Sequence, residues 1–379
     1  MNKLWSIPCL LLIVLAAVHC KEHYEANVAA TQTSNLVVEG YINPKGFTTI
    51  TLSRTLPVRH PDKTKPELSA LVTIRGEDNV QYNVRGTGNG TYRSDSLALN
   101  PNQKYRLHIK TNSGGEYLSE YVAVKPTPRI DSVNWKLEND GVHIYVNTHD
   151  PQNNTRYYKW DYEETWEIHS TYLNLYKYVN GAVVSSGLSD DQLNKLYYCW
   201  INQKSVGILT GSSARLSDDV ISEAPIVLIP YASEKIFVRY SILIKQYALD
   251  RKAYDFYKMM KTNTESIGSV FDPLPSNLTG NITCVSNPSE IVIGYVAAAS
   301  VDEKRIFISR NEIPSTFGNG CEITYVVNHP DSLRHYLGPG RIWPYQTDGS
   351  FPAILGYYAT YPRCLDCTLR GSNVKPSFW

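Results

Sequence analysis

Cys364 and Cys367 form a Cys-x-x-Cys pair, a spacing that serves three chemistries. A zinc site needs four ligands. The pair offers two, Cys321 a third, and His329 or His335 a fourth, in a spacing that matches no familiar zinc motif. A redox dithiol belongs just before a helix in a βαβ context, whereas this pair is followed by Gly371, Lys375 and Pro376. The reading adopted is structural disulfides: Cys321 to Cys364 or Cys367, with Cys199 and Cys284 as candidates for a second bridge. Five cysteines follow Cys20, so one thiol is left over within a single chain. The motifs for metalloproteases, serine hydrolases, P-loop NTPases and dinucleotide enzymes are absent from the sequence. No catalytic residue, metal or cofactor is assigned, and the chain is read as a non-enzyme.

A second candidate site is a misplaced charge. In the stretch YYKWDYEETWEIHS, Tyr157 to Ser170, a strand puts alternate residues on opposite faces. One face carries Tyr158, Trp160, Tyr162, Glu164, Trp166 and Ile168, so Glu164 sits among aromatic and apolar neighbours. Phe237 to Ala248 similarly puts Gln246 among Val238, Tyr240, Ile242 and Ile244. A buried carboxylate needs a partner, because an unpaired one costs several kcal/mol or more. Glu164 and Gln246 are therefore expected to lie close together. The aromatic residues Tyr157, Trp160, Tyr162 and Trp166 form a candidate binding surface, in a chain with 28 tyrosines.

The elements that position these residues are short strands. At 379 residues the chain buries a sizeable core. With 37 Lys+Arg against 36 Asp+Glu, charge gives no footprint for nucleic acid. Lys3 and the apolar run Leu4–Leu15 lead through Ala16-Ala17-Val18-His19 to Cys20. The segment is too short to span a bilayer comfortably. It is similar to a bacterial lipoprotein signal in which Cys20 is lipidated, with His19 where a small residue is usual; an ordinary secretory signal is the alternative. Residues 1–20 are thus a signal peptide, 21–35 a tether, 36–125 a sandwich domain and 126–379 a second domain. Strand and turn signals alternate through 36–125, as in an immunoglobulin-like or prealbumin-like sandwich. Pro126-Thr127-Pro128 breaks the chain. The second domain is β-rich with one amphipathic helix near 250–265, N-capped by Asp250. Its apolar face is Leu249, Ala253, Phe256, Tyr257 and Met260, and Gly268 with Phe271 to Ser276 ends it.

Several stretches together resemble the Bacteroidota lipoprotein family called domain of unknown function 4249. They are Val38-Glu39-Gly40-Tyr41, Pro128 to Val133, Tyr158 to Trp166, Arg239-Tyr240-Ser241 with Lys245-Gln246-Tyr247, Gly268 to Pro273, Gly280-Asn281-Ile282, and Cys364 to Trp379. The resemblance implies an outer-membrane lipoprotein facing the cell exterior. Its implied partner is a TonB-dependent β-barrel receptor that it serves as a nutrient-binding accessory; the alternative is a structural or adhesive surface lipoprotein. Asp95-Ser96-Leu97, Asp131-Ser132-Val133 and Asp331-Ser332-Leu333 resemble that phylum's O-glycosylation site.

Overall fold

A computed structural model of the chain describes residues 34–56, 64–265, 280–314, 318 and 320–379. Cys20, most of the tether, and Gly268 to Ser276 lie outside the described residues. The fold is mainly β, with sheets throughout and three α-helices among the described residues, Asp190–Tyr197, Arg251–Glu265 and Pro330–Tyr336. The expectation of one helix is corrected. Asp190–Tyr197 has no buried residue and carries a capping box from Ser189 and Gln192. At 8 residues it spans too few turns for a 3.6-residue period to stand out in the sequence.

The first sheet is built largely from residues 36–125, in the order Glu116–Ser119, Lys104–Lys110, Leu71–Gly76, Gln81–Gly88, Thr91–Ala98, Lys45–Thr55, Leu36–Tyr41. Tyr105, Leu107 and Ile109 alternate into its core with Val72, Ile74, Ile50 and Leu52. It does not close by itself. Ile282–Cys284 pairs with Glu116–Ser119, and Val292–Ile293 runs parallel to Leu36–Tyr41. Ala298–Ala299 runs parallel to Val122–Lys125. Ile42 hydrogen-bonds Ala297 and Ala299, so this returning segment joins the two ends of the sheet. Sheet edges present unpaired amides and carbonyls that need a partner. The domain taken as 36–125 is therefore not contiguous: it is completed from residues 282–299. The crossing is tight. Gly294 has φ +140°, and a Cβ there would stand 2.1 Å from the Val38 carbonyl oxygen.

The second body is two sheets packed face to face. One has Ile130–Glu138, Gly141–His149 and Val220–Pro230. The other has Tyr198–Lys204, Tyr157–His169, Arg239–Leu249 and Val301–Ser309, with Leu209–Ser212 sharing one edge. Val142, Ile144 and Val146 meet Tyr158, Trp160, Tyr240, Ile242 and Ile244 in the core between them. A smaller sheet of Thr324–Val327, Gly356–Thr360 and Trp343–Asp348 packs with Pro330–Tyr336. Tyr178 and Val183 of a hairpin with Asn180-Gly181 at positive φ cover the same cluster. The helix Arg251–Glu265 follows Asp250, whose Oδ1 accepts from the Ala253 amide at 2.7 Å. Ala253 and Phe256 pack on Tyr295, Tyr157 and Ala297.

Cys199 bonds to Cys367 and Cys321 to Cys364. The expected pairing of Cys199 with Cys284 is corrected. Cys284 is buried and unpaired, because its strand pairs with Glu116–Ser119 in the first sheet. The tail is docked. Ser372 and Trp200 exchange backbone hydrogen bonds, and Trp379 Nε1 donates to Glu167 Oε2 at 3.0 Å. Arg305 lies 3.6 Å from the centre of the Phe378 ring. The hydrogen bond from His169, more than that from Trp379, holds the Glu167 carboxyl below its usual pKa.

Cys199 and Cys367 are 168 positions apart, so the bridge closes a long loop of the unfolded chain. Replacing both by serine should cost ~2–5 kcal/mol in denaturant unfolding. A matched Cys284→Ser variant should leave the non-reducing disulfide map unchanged. An unaltered unfolding midpoint in the double variant would refute the assignment.

Candidate functional site

The strand Tyr157–His169 organises both faces of the site. Eleven consecutive pairs, Tyr157↔Leu249 to Glu167↔Arg239, fix its register against Arg239–Leu249. In that register Gln246 lies opposite Trp160 and Glu164 opposite Ile242. The expected Glu164–Gln246 contact is corrected, since the two are four pairs apart along the ladder. Each is satisfied separately. Gln246 Oε1 accepts from Trp160 Nε1 at 2.8 Å, and its Nε2 donates to the Pro128 carbonyl and Thr148 Oγ1. Glu164 is 2% exposed. It accepts from Lys235 Nζ at 2.6 Å and Tyr240 Oη at 2.8 Å. The carboxylate beside it, after burial itself, holds the Tyr240 phenol protonated far above its ordinary range.

The aromatic surface is also corrected. Trp160 and Trp166 are 2% and 5% exposed and belong to the inter-sheet core, and Tyr157 and Tyr162 are half-buried. Alternation turns the tryptophan face toward the opposing sheet, where apolar area leaves water. The opposite face carries Tyr157, Lys159, Asp161 and Glu163, and it turns toward the first sheet and the helix Arg251–Glu265.

There the two bodies flank a partly open cavity of about 360 Å³. Lys159 and Asp161 come from Tyr157–His169, Tyr247 from the neighbouring strand, Glu39 and Tyr41 from Leu36–Tyr41, and Phe256, Tyr257 and Met260 from the helix. Gly294, Tyr295 and Ala297 of the returning segment also line it. Lys159 Nζ donates to Asp161 Oδ1 at 2.5 Å. The same ammonium lies 5.1 Å from the Tyr247 ring centre and 5.4 Å from that of Tyr257, within cation–π range. Tyr41 and Tyr247 meet edge to face at 4.7 Å. Burial pushes the Tyr41 phenol up to about 12. Burial, then the Asp161 charge, raises Tyr247 and Tyr257 further. All three phenols therefore remain neutral hydrogen-bonding groups at physiological pH. The cavity offers ring faces, hydroxyls, one ion pair and apolar walls, which is equipment for binding.

Sequence reasoning passed over Lys159, Asp161, Tyr41, Tyr247 and Tyr257. The signal was present in the tyrosine count and in the second face of the same strand. What brings those tyrosines together is the return of residues 292–299 to the first sheet. Elsewhere, Glu138, Asp140 and His143 bring potential ligand atoms within 4.8 Å. They are taken up by the Asp140–His143 contact at 2.7 Å and the bond from Tyr145 to Glu138 at 2.6 Å.

A family model described as "Domain of unknown function (DUF4249)" matches residues 21–305, so the tail cysteines lie beyond the matched span. No curated protein matches the sequence. Among solved structures, a two fibronectin type-III domain segment from chicken tenascin is similar at 10% identity, over 56% of this chain and 90% of that one. Its TM-score is 0.15, and the likeness carries no weight for fold or function.

Lys235→Met removes the ion-pair partner of buried Glu164 and should destabilise the chain by about 2–3 kcal/mol, with Glu164→Gln in the same background recovering part. Unfolding curves at neutral pH check this, and wild-type stability of Lys235→Met would contradict it. For the cavity pair, a double-mutant cycle of Lys159→Met and Asp161→Asn should give a coupling of roughly 0.5–1 kcal/mol, modest because Asp161 is partly exposed. Strict additivity would dissolve the pair as a unit.

Proposed function

We propose, from the premise that the chain belongs to the DUF4249 family, that it is an outer-membrane lipoprotein anchored through Cys20. On this reading it faces the cell exterior and acts as a binding accessory of a TonB-dependent nutrient transporter. The observation that carries the reading is the tyrosine-lined cavity between the two bodies. Ligand sites favour concave, mostly apolar clefts at domain interfaces with a few placed polar groups. The two disulfides support an exported chain, since such bonds persist in oxidising compartments. A lipid chain on Cys20 would anchor the protein without spanning the membrane.

A second reading, an adhesive surface lipoprotein, has its own support. Tyr325 and Val327 of the smaller sheet, and Leu355 just before its strand Gly356–Thr360, are exposed apolar residues that a protein contact would cover.

Extraction of the tagged native protein in mild detergent distinguishes the two. A β-barrel receptor should co-purify, and Cys20→Ser should shift the chain out of the membrane fraction. Recovery of the wild-type chain without a receptor, together with unimpaired growth of a deletion strain on all candidate nutrients, would overturn the accessory role.

A further inference from the structure

We infer that the cavity between the two bodies takes an uncharged, mainly apolar ring compound carrying one hydrogen-bonding group. The inference rests on the binding role proposed above and narrows its ligand.

Charge is the first ground. Among the described residues, the charged ones lining the cavity are Glu39, Lys159 and Asp161. The place where a ligand ammonium would sit, beside Asp161 and against the Tyr247 and Tyr257 rings, is occupied by the Lys159 ammonium of the chain itself. A second cation would meet it as a like charge. An anion fares no better: the single lining cation among the described residues is committed to Asp161, and Glu39 adds another negative charge. Bringing a net charge into such a site costs desolvation; the lining charge outside the ion pair, Glu39, is exposed to water, which screens what it could offer a cation. A neutral group meets neither penalty. It can accept a hydrogen bond from a remaining N–H of the Lys159 ammonium or bond the Tyr257 hydroxyl, which burial keeps protonated.

The second ground is independent of charge. The strands Tyr198–Lys204 and Leu209–Ser212 pair with the same edge of Tyr157–His169. Between them residues 205–208 leave that edge as a short strap. Its base is fixed: the Ser205 amide donates to the Tyr162 carbonyl at 2.8 Å, and the Tyr162 amide donates to Ser205 Oγ at 3.1 Å. Its tip, Val206, is 95% exposed at the cavity's rim, while Ile208 lines the wall. Inside are Phe256, Met260 and Leu249. An apolar body filling the cavity would withdraw Val206 and the half-buried Ile208 and Met260 from water, against Phe256 and Leu249, which are already buried. The half-buried ring of Tyr41 on the cavity wall, which lies outside the Lys159 contacts, suits a ring, since offset or edge contacts add to burial. At about 360 Å³ the space is at the lower end of small-molecule sites, which run from roughly 300 to 1,000 Å³.

The test uses the full mature chain and three fluorescent naphthalene probes, one neutral, one anionic and one cationic. They are N-phenyl-1-naphthylamine, neutral; its sulfonated analogue 1-anilinonaphthalene-8-sulfonate; and 1-naphthylmethylammonium. The neutral probe should bind saturably at one site, at least tenfold tighter than either charged probe. Val206→Asp, at a position whose exposure makes it safe for folding, should weaken the neutral probe tenfold or more with an unchanged melting curve. If a charged probe binds as tightly, with the same dependence on Val206, the ligand class is overturned and the binding role stands. If no probe binds in a Val206-dependent way, the cavity is overturned as a site, and receptor co-purification judges the accessory role separately.

Discussion

The register between Tyr157–His169 and Arg239–Leu249 is the constraint on which the rest depends. A slip of one residue would exchange the two faces of the strand. Trp160, Trp166 and Glu164 would leave the core, and Lys159 and Asp161 would enter it. The register is held from both sides. On the core side, Gln246 holds Trp160 while reaching Thr148 and the Pro128 carbonyl on the opposing layer. Glu164 binds Tyr240 of the neighbouring strand and Lys235 just before it. These polar contacts have directional geometry that an apolar core lacks, and any alternative register leaves them unpaired at several kcal/mol. On the outer side, Lys245 Nζ bonds Glu163 at 2.8 Å across the same pair of strands.

One ladder therefore serves two purposes. Its inner face packs a sandwich core, and its outer face supplies half of a cavity. The other half comes from the first sheet, which has the right shape because the chain returns to it. The segment around Ala297–Ala299 closes the sheet's free ends, and its neighbours Gly294 and Tyr295 line the cavity. Only glycine tolerates the approach of Gly294 to the Val38 carbonyl. Closure of the first sheet and formation of the site are thus one structural event. The helix Arg251–Glu265 leads out of the ladder and lays Phe256, Tyr257 and Met260 over the cavity.

The disulfides act at the opposite end of the same ladder. Cys199 sits opposite Ile168 in a strand paired with Tyr157–His169, and its bond to Cys367 ties the tail to that edge. Trp379 then reaches Glu167, two positions from the register's last pair with His169 on the other edge. Covalent, ionic and aromatic contacts converge where the sheet would otherwise fray.

The sequence by itself determined what depends on local pattern. Alternation assigned each residue of Tyr157–His169 to its face and marked Glu164 and Gln246 as buried polar groups. Asp250 and the spacing of Ala253, Phe256, Tyr257 and Met260 located the helix, because capping and a 3.6-residue period are short-range effects. The quoted motif set identified the family. What only the tertiary structure decided are the long-range pairings. Alternation says which face a residue takes but not which residue stands opposite, so the partners of Glu164 and Gln246 could not be read. Cys284 shows the same limit: its type suggested a bridge, but the return of its strand to the first sheet placed it away from Cys199. The cavity is the extreme case, since Tyr41, Lys159, Tyr247 and Tyr257 meet from four separate elements. Their meeting is set by the closure of a sheet edge and the register of a ladder, neither of which leaves a local mark in the chain.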